Sequence, residues 1–189
     1  MKKILLTMLC ATAILSGCAP AIRTSDNPLL KSQRGEELSD TLANLIISND
    51  PIVKQPGMQT VINAEITKAK QVLADGHNDE RSGMIGTLIP IKENAQGTVL
   101  YKNDTLYLSS DFYAQPGIEL HLYLTTAVDP RDVAFPDKTA LDLATLEYPY
   151  GAMSLQVPHQ NAPELYRTAV LWDKKLNRLY GFAQLSKQK

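Results

Sequence analysis

Three imidazoles, a set of hydroxyls and carboxylates, and eight phenols are the groups in this chain with chemistry to offer. His77, His121 and His159 lie in three separate segments, without His-x-His or His-Glu-x-x-His spacing, so no metal site is built locally. His121 alternates with Glu119 and Tyr123, which places the three on one face of a strand. It reads either as an exposed sheet-face histidine or as a haem ligand with a methionine such as Met84 or Met153 opposite. Ser109, Ser110 and Ser154 lack a nucleophile-elbow context, and no glycine-rich phosphate loop is present. No catalytic constellation can be named, so the expectation is a protein that is not an enzyme. Tyrosine is the over-used aromatic, eight against three phenylalanines and one tryptophan. Tyr148 and Tyr150 fall near predicted strand ends, where loops gather and tyrosine supplies contact area plus a hydroxyl. His121, Tyr123, Tyr148 and Tyr150 are the candidate binding surface.

The two thiols, Cys10 and Cys18, both lie in the first 18 residues. Lys2 and Lys3 open an apolar run from Ile4 to Leu15, which closes on Leu15-Ser16-Gly17-Cys18. The run is short for a bilayer span, which takes about 20 apolar residues. It resembles a bacterial lipoprotein signal peptide with its lipobox. That resemblance implies cleavage before Cys18, with acyl chains such as palmitate on Cys18 and a membrane-lipid anchor. Residues 1–17 would be the signal peptide, and the mature chain would keep no free thiol. Removing Lys2 and Lys3 from the 19 basic residues leaves 17 against 20 acidic, a net charge of −3. No basic patch is visible, so nucleic acid is not expected as a partner. Ala19 after the cysteine fits the periplasmic face of an outer membrane, or the cell surface, if the host is diderm.

Residues 18–35 are rich in Pro, Ser, Asn and charge and read as the lipidated cysteine followed by a flexible tether. Residues 36–76 read as a helical hairpin. Leu38, Leu42, Leu45 and Ile46 form one stripe over Glu36–Ser48, and Asn49-Asp50-Pro51 ends it. Met58, Val61, Ile62, Ile66, Ala69, Val72 and Leu73 form a second stripe from Met58 to about Ala74, with Gly76 as its left-handed cap. Two short amphipathic helices cannot bury both stripes alone. They must pack on the downstream domain, on a copy of themselves, or on a partner.

From Met84 the hydrophobic period changes to two. Strands are expected over Met84–Ile91, Thr98–Tyr101, Thr105–Ser109, Gly117–Thr125, Leu141–Glu147, Met153–Val157, Tyr166–Trp172 and Arg178–Leu185. Turn residues separate them, among them Asn94–Gly97, Asn103-Asp104 and Gln115-Pro116-Gly117. In the Gly117 strand, Ile118, Leu120, Leu122 and Leu124 should face the core. The fold class is mainly β, an antiparallel β-sandwich over residues 84–187 preceded by the helical hairpin.

Within this stretch, several short pieces fall in one order: Gly86-Thr87-Leu88, Gly97-Thr98-Val99, Leu106-Tyr107-Leu108 with Asp111-Phe112, and Pro116-Gly117 into Leu122-Tyr123-Leu124. Ala169-Val170-Leu171-Trp172 and Gly181-Phe182-Ala183-Gln184-Leu185 close the set. The ordered set resembles the DM13 domain, a β-sandwich related to DOMON modules. The resemblance implies a role in electron transfer through a cysteine that follows the tryptophan of the penultimate strand. Asp173 stands at that position here, so the family cysteine is absent, and carboxylate does not replace thiolate in redox chemistry. The functional expectation is a lipid-anchored binding or scaffolding module of the cell envelope, with an envelope protein or glycan as partner. The alternative is an accessory of an extracytoplasmic electron-transfer system that holds a cofactor such as haem.

Overall fold

The computed structural model describes residues 26–188. It is mainly β: two antiparallel sheets stacked face to face, with a helical hairpin ahead of them.

The hairpin starts earlier than its sequence suggests. Helix α1 spans Pro28–Ile47, so residues 28–35, read as tether, are helical. The start signal is local. Asn27 caps the helix by accepting from the Leu29 amide through Oδ1 at 3.0 Å, and Pro28 supplies the fixed backbone angle favoured at the first helical position. Helix α2 spans Met58–Arg81 and runs straight through Gly76, the expected cap. Gly76 is there for contact. A Cβ on it would lie 2.6 Å from the Ser32 amide nitrogen, and one on Gly35 would lie 2.6 Å from that of Leu73. Two glycines thus let the helix backbones meet almost directly.

The base of the hairpin is fastened to the sandwich by polar groups. Lys102 pairs with Asp79 at 2.7 Å and Ser110 donates to Gln33 at 2.6 Å, while Ser32 donates to Glu80 at 2.5 Å between the two helices themselves. Farther along, Leu38, Ile47, Val61 and Val72 stay exposed. The two helices pack on each other, and their outer apolar positions remain open.

The strands are β1 (Met84–Thr87), β2 (Ile89–Pro90), β3 (Ala95–Gln96), β4 (Thr98–Lys102), β5 (Thr105–Leu108), β6 (Tyr113–Ala114) and β7 (Leu120–Thr125). They continue as β8 (Leu141–Thr145), β9 (Met153–Gln156), β10 (Thr168–Asp173), β11 (Arg178–Gln184) and β12 (Ser186–Lys187). One sheet has the order β12-β1-β4-β5-β9, the other β2-β11-β10-β7-β8. Strands β3 and β6 form a small separate pair, and β3 lies inside the Asn94–Gly97 stretch that reads as a turn. Every pairing is antiparallel. Strands β4 and β5 are joined by Asn103-Asp104, both at positive φ, the backbone a two-residue hairpin requires.

The core lies between the sheets. Val99, Leu106, Leu108 and Leu155 from the first meet Leu120, Leu122, Leu124, Ala169 and Leu171 from the second. Alternation along β7 places its leucines there as expected, but Ile118 is 71% exposed. Its amide turns to the Asp173 carboxylate, and the strand begins only at Leu120. The opposite face of β7 is also covered. Phe135, from the loop joining β7 to β8, lies 5.4 Å from Tyr123 and 5.1 Å from Trp172, ring centre to ring centre. With Val170 and Phe182 these make a second, smaller apolar cluster. The Arg131 guanidinium lies 5.1 Å from the Phe182 ring centre.

Candidate functional site

The four residues of the candidate surface fall in two places. His121 and Tyr123 are side by side on the outer face of β7, and both are buried. Tyr148 and Tyr150 stand exposed on the loop that leaves β8.

His121 is not an exposed sheet-face histidine, because its ring is enclosed by polar neighbours. Nδ1 donates to Asp142 at 2.7 Å, Thr145 Oγ1 lies 3.1 Å from Nε2, and Glu119 Oε1 stands 3.5 Å from Nε2. Lys174 binds Asp142 at 2.9 Å, and Lys175 lies 3.4 Å from Glu119. Burial works against the Asp142 charge, yet the hydrogen bonds from His121 and Lys174 hold its carboxyl below the usual range. Tyr123 is pushed up, by burial first and then by the charge of Asp142. Thr145, His121 and Asp142 follow the hydrogen-bond order of a hydroxyl–imidazole–carboxylate relay. Here Nε2 is shared with Glu119, and the cluster spans β7 and β8 where their register shifts between Leu122 and Tyr123. We read it as a polar clamp that holds a bulged ladder together.

That geometry also decides against a haem at His121. Both ring nitrogens have protein partners, and Met84 and Met153 belong to the inter-sheet core. His121 alternates with the core leucines of β7, so the sheet separates it from both methionines. The other histidines stand elsewhere: His77 beside Glu80 on α2, and His159 bound to Asp104 at 2.8 Å. Among the described residues no group of three metal-ligating side chains comes together.

Asp173, the residue that follows Trp172, is fully buried. Oδ2 accepts from the amides of Ile118 at 2.7 Å and Glu119 at 3.2 Å, and Oδ1 accepts from Leu176 at 2.8 Å. Burial alone would raise this carboxyl, but the backbone amides of Leu176, Glu119 and Ile118 together bring it below its usual value. One aspartate therefore organises the β10–β11 turn and the entry to β7 together. Its chemistry is that of an acceptor for fixed dipoles.

Tyr148 and Tyr150 present a different surface. Their rings sit edge to face, 6.3 Å apart at 75°. Pro149 between them accepts from the Ala114 amide at 2.8 Å, Tyr150 bridges Tyr113, and the Gly151 amide donates to Phe112 at 2.8 Å. Gly151 turns the chain at φ 78°. The pair is thus mounted on backbone fixed from both sides, with Tyr113 also exposed beside it. Two phenol faces and two hydroxyls suit stacking on a sugar ring or an aliphatic side chain, with hydrogen bonding at the rim.

Cys18 lies outside the described residues. Asp142 and Thr145, the partners of His121, were missed from sequence because they come together only through a shifted strand register. Tyr113 was missed because it precedes the Tyr148 loop by more than thirty positions, and only the β-bridge joins them. Among the described residues no helix is long and apolar enough to cross a membrane. Compared with protein-family models, with curated proteins and with solved structures, the chain matches none.

Proposed function

We propose that this chain is a lipoprotein of the cell envelope, held on a membrane through acylated Cys18, and that it serves as a non-enzymatic binding or scaffolding module. The observation that carries the binding role is the exposed Tyr148–Tyr150 pair, clamped by backbone hydrogen bonds on both flanks. Large aromatic area that a fold leaves in water, on rigid backbone, loses little entropy when a partner covers it. The partner is an envelope protein or a glycan. The order of DM13-like pieces supports a relation to that domain, while the Asp173 carboxylate and the enclosed ring of His121 favour binding over electron transfer.

The anchor and the surface are tested separately. Cys18→Ser should release the protein from membranes and abolish labelling by radioactive palmitate. Persistence in the membrane fraction would end the anchor reading. A photo-crosslinking residue at position 148 in the intact envelope should capture a discrete partner, and capture should disappear when Tyr150 is changed to Ala. Crosslinking that is indifferent to Tyr150 would place the binding surface elsewhere.

A further inference from the structure

The seam between the two helices is built largely of small residues. Beyond its first turn α1 buries Ser32, Gly35 and Ser39, and α2 buries Ile62, Ala69, Gly76 and Glu80. Such a seam brings the backbones close and gives the hairpin little apolar core of its own. Helices of this length draw most of their stability in water from burying an apolar face. That face is present, and it is open.

Two lines of heptad spacing define it. Lys31, Leu38 and Leu45 repeat along α1, and Met58, Glu65, Val72 and Asp79 repeat along α2. Lys31 lies 3.7 Å from Asp79, so the two lines run side by side on one face of the hairpin. Leu38 is 46% exposed there and Val72 41%, and Val61, three residues after Met58, is exposed as well. Leu45 and Met58 are half-buried. Glu65, the charge within the patch, pairs with Lys68 at 2.5 Å.

The two rims of the face carry opposite charge. Arg34 follows Lys31 by three positions and precedes Leu38 by four, which sets it on the outer edge of the α1 line. Asp75 stands in the same relation to Val72 and Asp79 on α2. Both are exposed, and among the described residues neither has an ion pair. Asp75 accepts from Gln71 of its own helix at 2.9 Å. The close approaches of Gly35 to Leu73 and of Gly76 to Ser32 set the level of one helix against the other. By that register Arg34 stands nearly level with Asp75, Leu38 with Val72, and Leu45 with Val61.

We propose that this face binds a second copy of the chain, the two hairpins forming a parallel four-helix bundle about a two-fold axis along their length. Helix α1 of each copy then faces α2 of the other. Leu38 packs on Val72 and Leu45 on Val61 across the interface, and Arg34 meets Asp75, twice by symmetry. An antiparallel pairing would set α1 against α1 and leave both charged rims unmatched. The face is separate from the Tyr148–Tyr150 surface and would present two such surfaces together.

The test uses the full-length protein. Sedimentation equilibrium in density-matched detergent should show a dimer. Benzoylphenylalanine at position 38 should crosslink to residues 58–81 of a second copy, identified by mass spectrometry in a mixture of light and heavy-isotope chains. Arg34→Glu should weaken the dimer by about tenfold, and adding Asp75→Arg should restore it. Leu38→Lys should abolish it. All three positions are exposed, so helical circular dichroism should be unchanged. Assembly needs no acyl chain, so a failure of the Cys18 anchor would leave this test intact. A monomer at every concentration, a dimer indifferent to Arg34→Glu and Leu38→Lys, or a charge reversal that Asp75→Arg does not rescue would overturn the proposal. A crosslink from position 38 to lipid or to a different protein would overturn it as well.

Discussion

Gly117 lies so close to Asp173 that a methyl group on it would overlap the carboxylate oxygen Oδ2. The missing side chain allows the next two amides, of Ile118 and Glu119, to converge on that oxygen. Gly117→Ala should therefore destabilise the sandwich by about 1–3 kcal/mol, the range for forcing atoms into a filled site. Urea denaturation measures it, and an unchanged midpoint would show that the loop can move aside at no cost.

Asp173 itself makes a pH-dependent contribution. Its folded pKa is depressed, so its stabilisation is present above the ordinary carboxyl value of about 4 and fades as pH falls through the folded value. Asp173→Asn should lose about 2 kcal/mol at pH 7, because a neutral amide offers one acceptor oxygen where three amides converge on two. The gap between variant and parent should narrow on acidification below about pH 4. A gap that stays constant from pH 7 to pH 3 would contradict the assignment. Asp173→Cys should be at least as costly, since a thiol is a weak acceptor.

The two helix glycines make a paired prediction. Gly35→Leu or Gly76→Leu drives a side chain into the facing backbone and should pry α1 from α2. Helical circular dichroism and amide protection in residues 28–81 should fall, while protection of β4, β7 and β10 persists. Loss of protection throughout would show that hairpin and sandwich unfold as one unit.

The clamp at His121 invites a double-mutant cycle. His121→Gln and Asp142→Asn should each destabilise, and their effects should fall short of additivity by about 1 kcal/mol, the mark of a direct interaction. Strict additivity would mean that the 2.7 Å contact carries no energy of its own.

Tyr148 and Tyr150 should behave in the opposite way. Replacing both with Ala should change stability by no more than about 0.5 kcal/mol each, as expected for exposed side chains. A large thermal shift would identify the pair as part of the fold and remove the argument for a binding surface.

Much of the sheet architecture was legible because its signals are local. Leu120, Leu122 and Leu124 alternate into the core, and Asn103-Asp104 closes β4 on β5, as their residue types require. The misreadings arise where one residue type serves two purposes. Gly76 suits a helix cap and a helix crossing equally well, and only the position of Ser32 decides between them. Asn27-Pro28 is a helix start embedded in composition typical of a linker. The burial of His121 and Tyr123 depends on Phe135 folding back across the sheet, a contact with no periodicity to announce it. The candidate site was half legible: Tyr148 and Tyr150 are exposed as expected, whereas the partners of His121 come from a strand whose register no spacing rule predicts.

Asn27 joins three parts of the molecule at one side chain. Oδ1 caps α1, and Nδ2 donates to the carbonyls of Leu108 at 2.8 Å and Met153 at 3.2 Å, a facing pair at the end of the β5–β9 ladder. Any tension in the preceding chain would enter the fold at this junction. It would be divided between helix and sheet through the three hydrogen bonds of this one side chain. Helix α1 would then be shielded from being peeled open turn by turn, and the hairpin would keep its shape while the chain before it is under load.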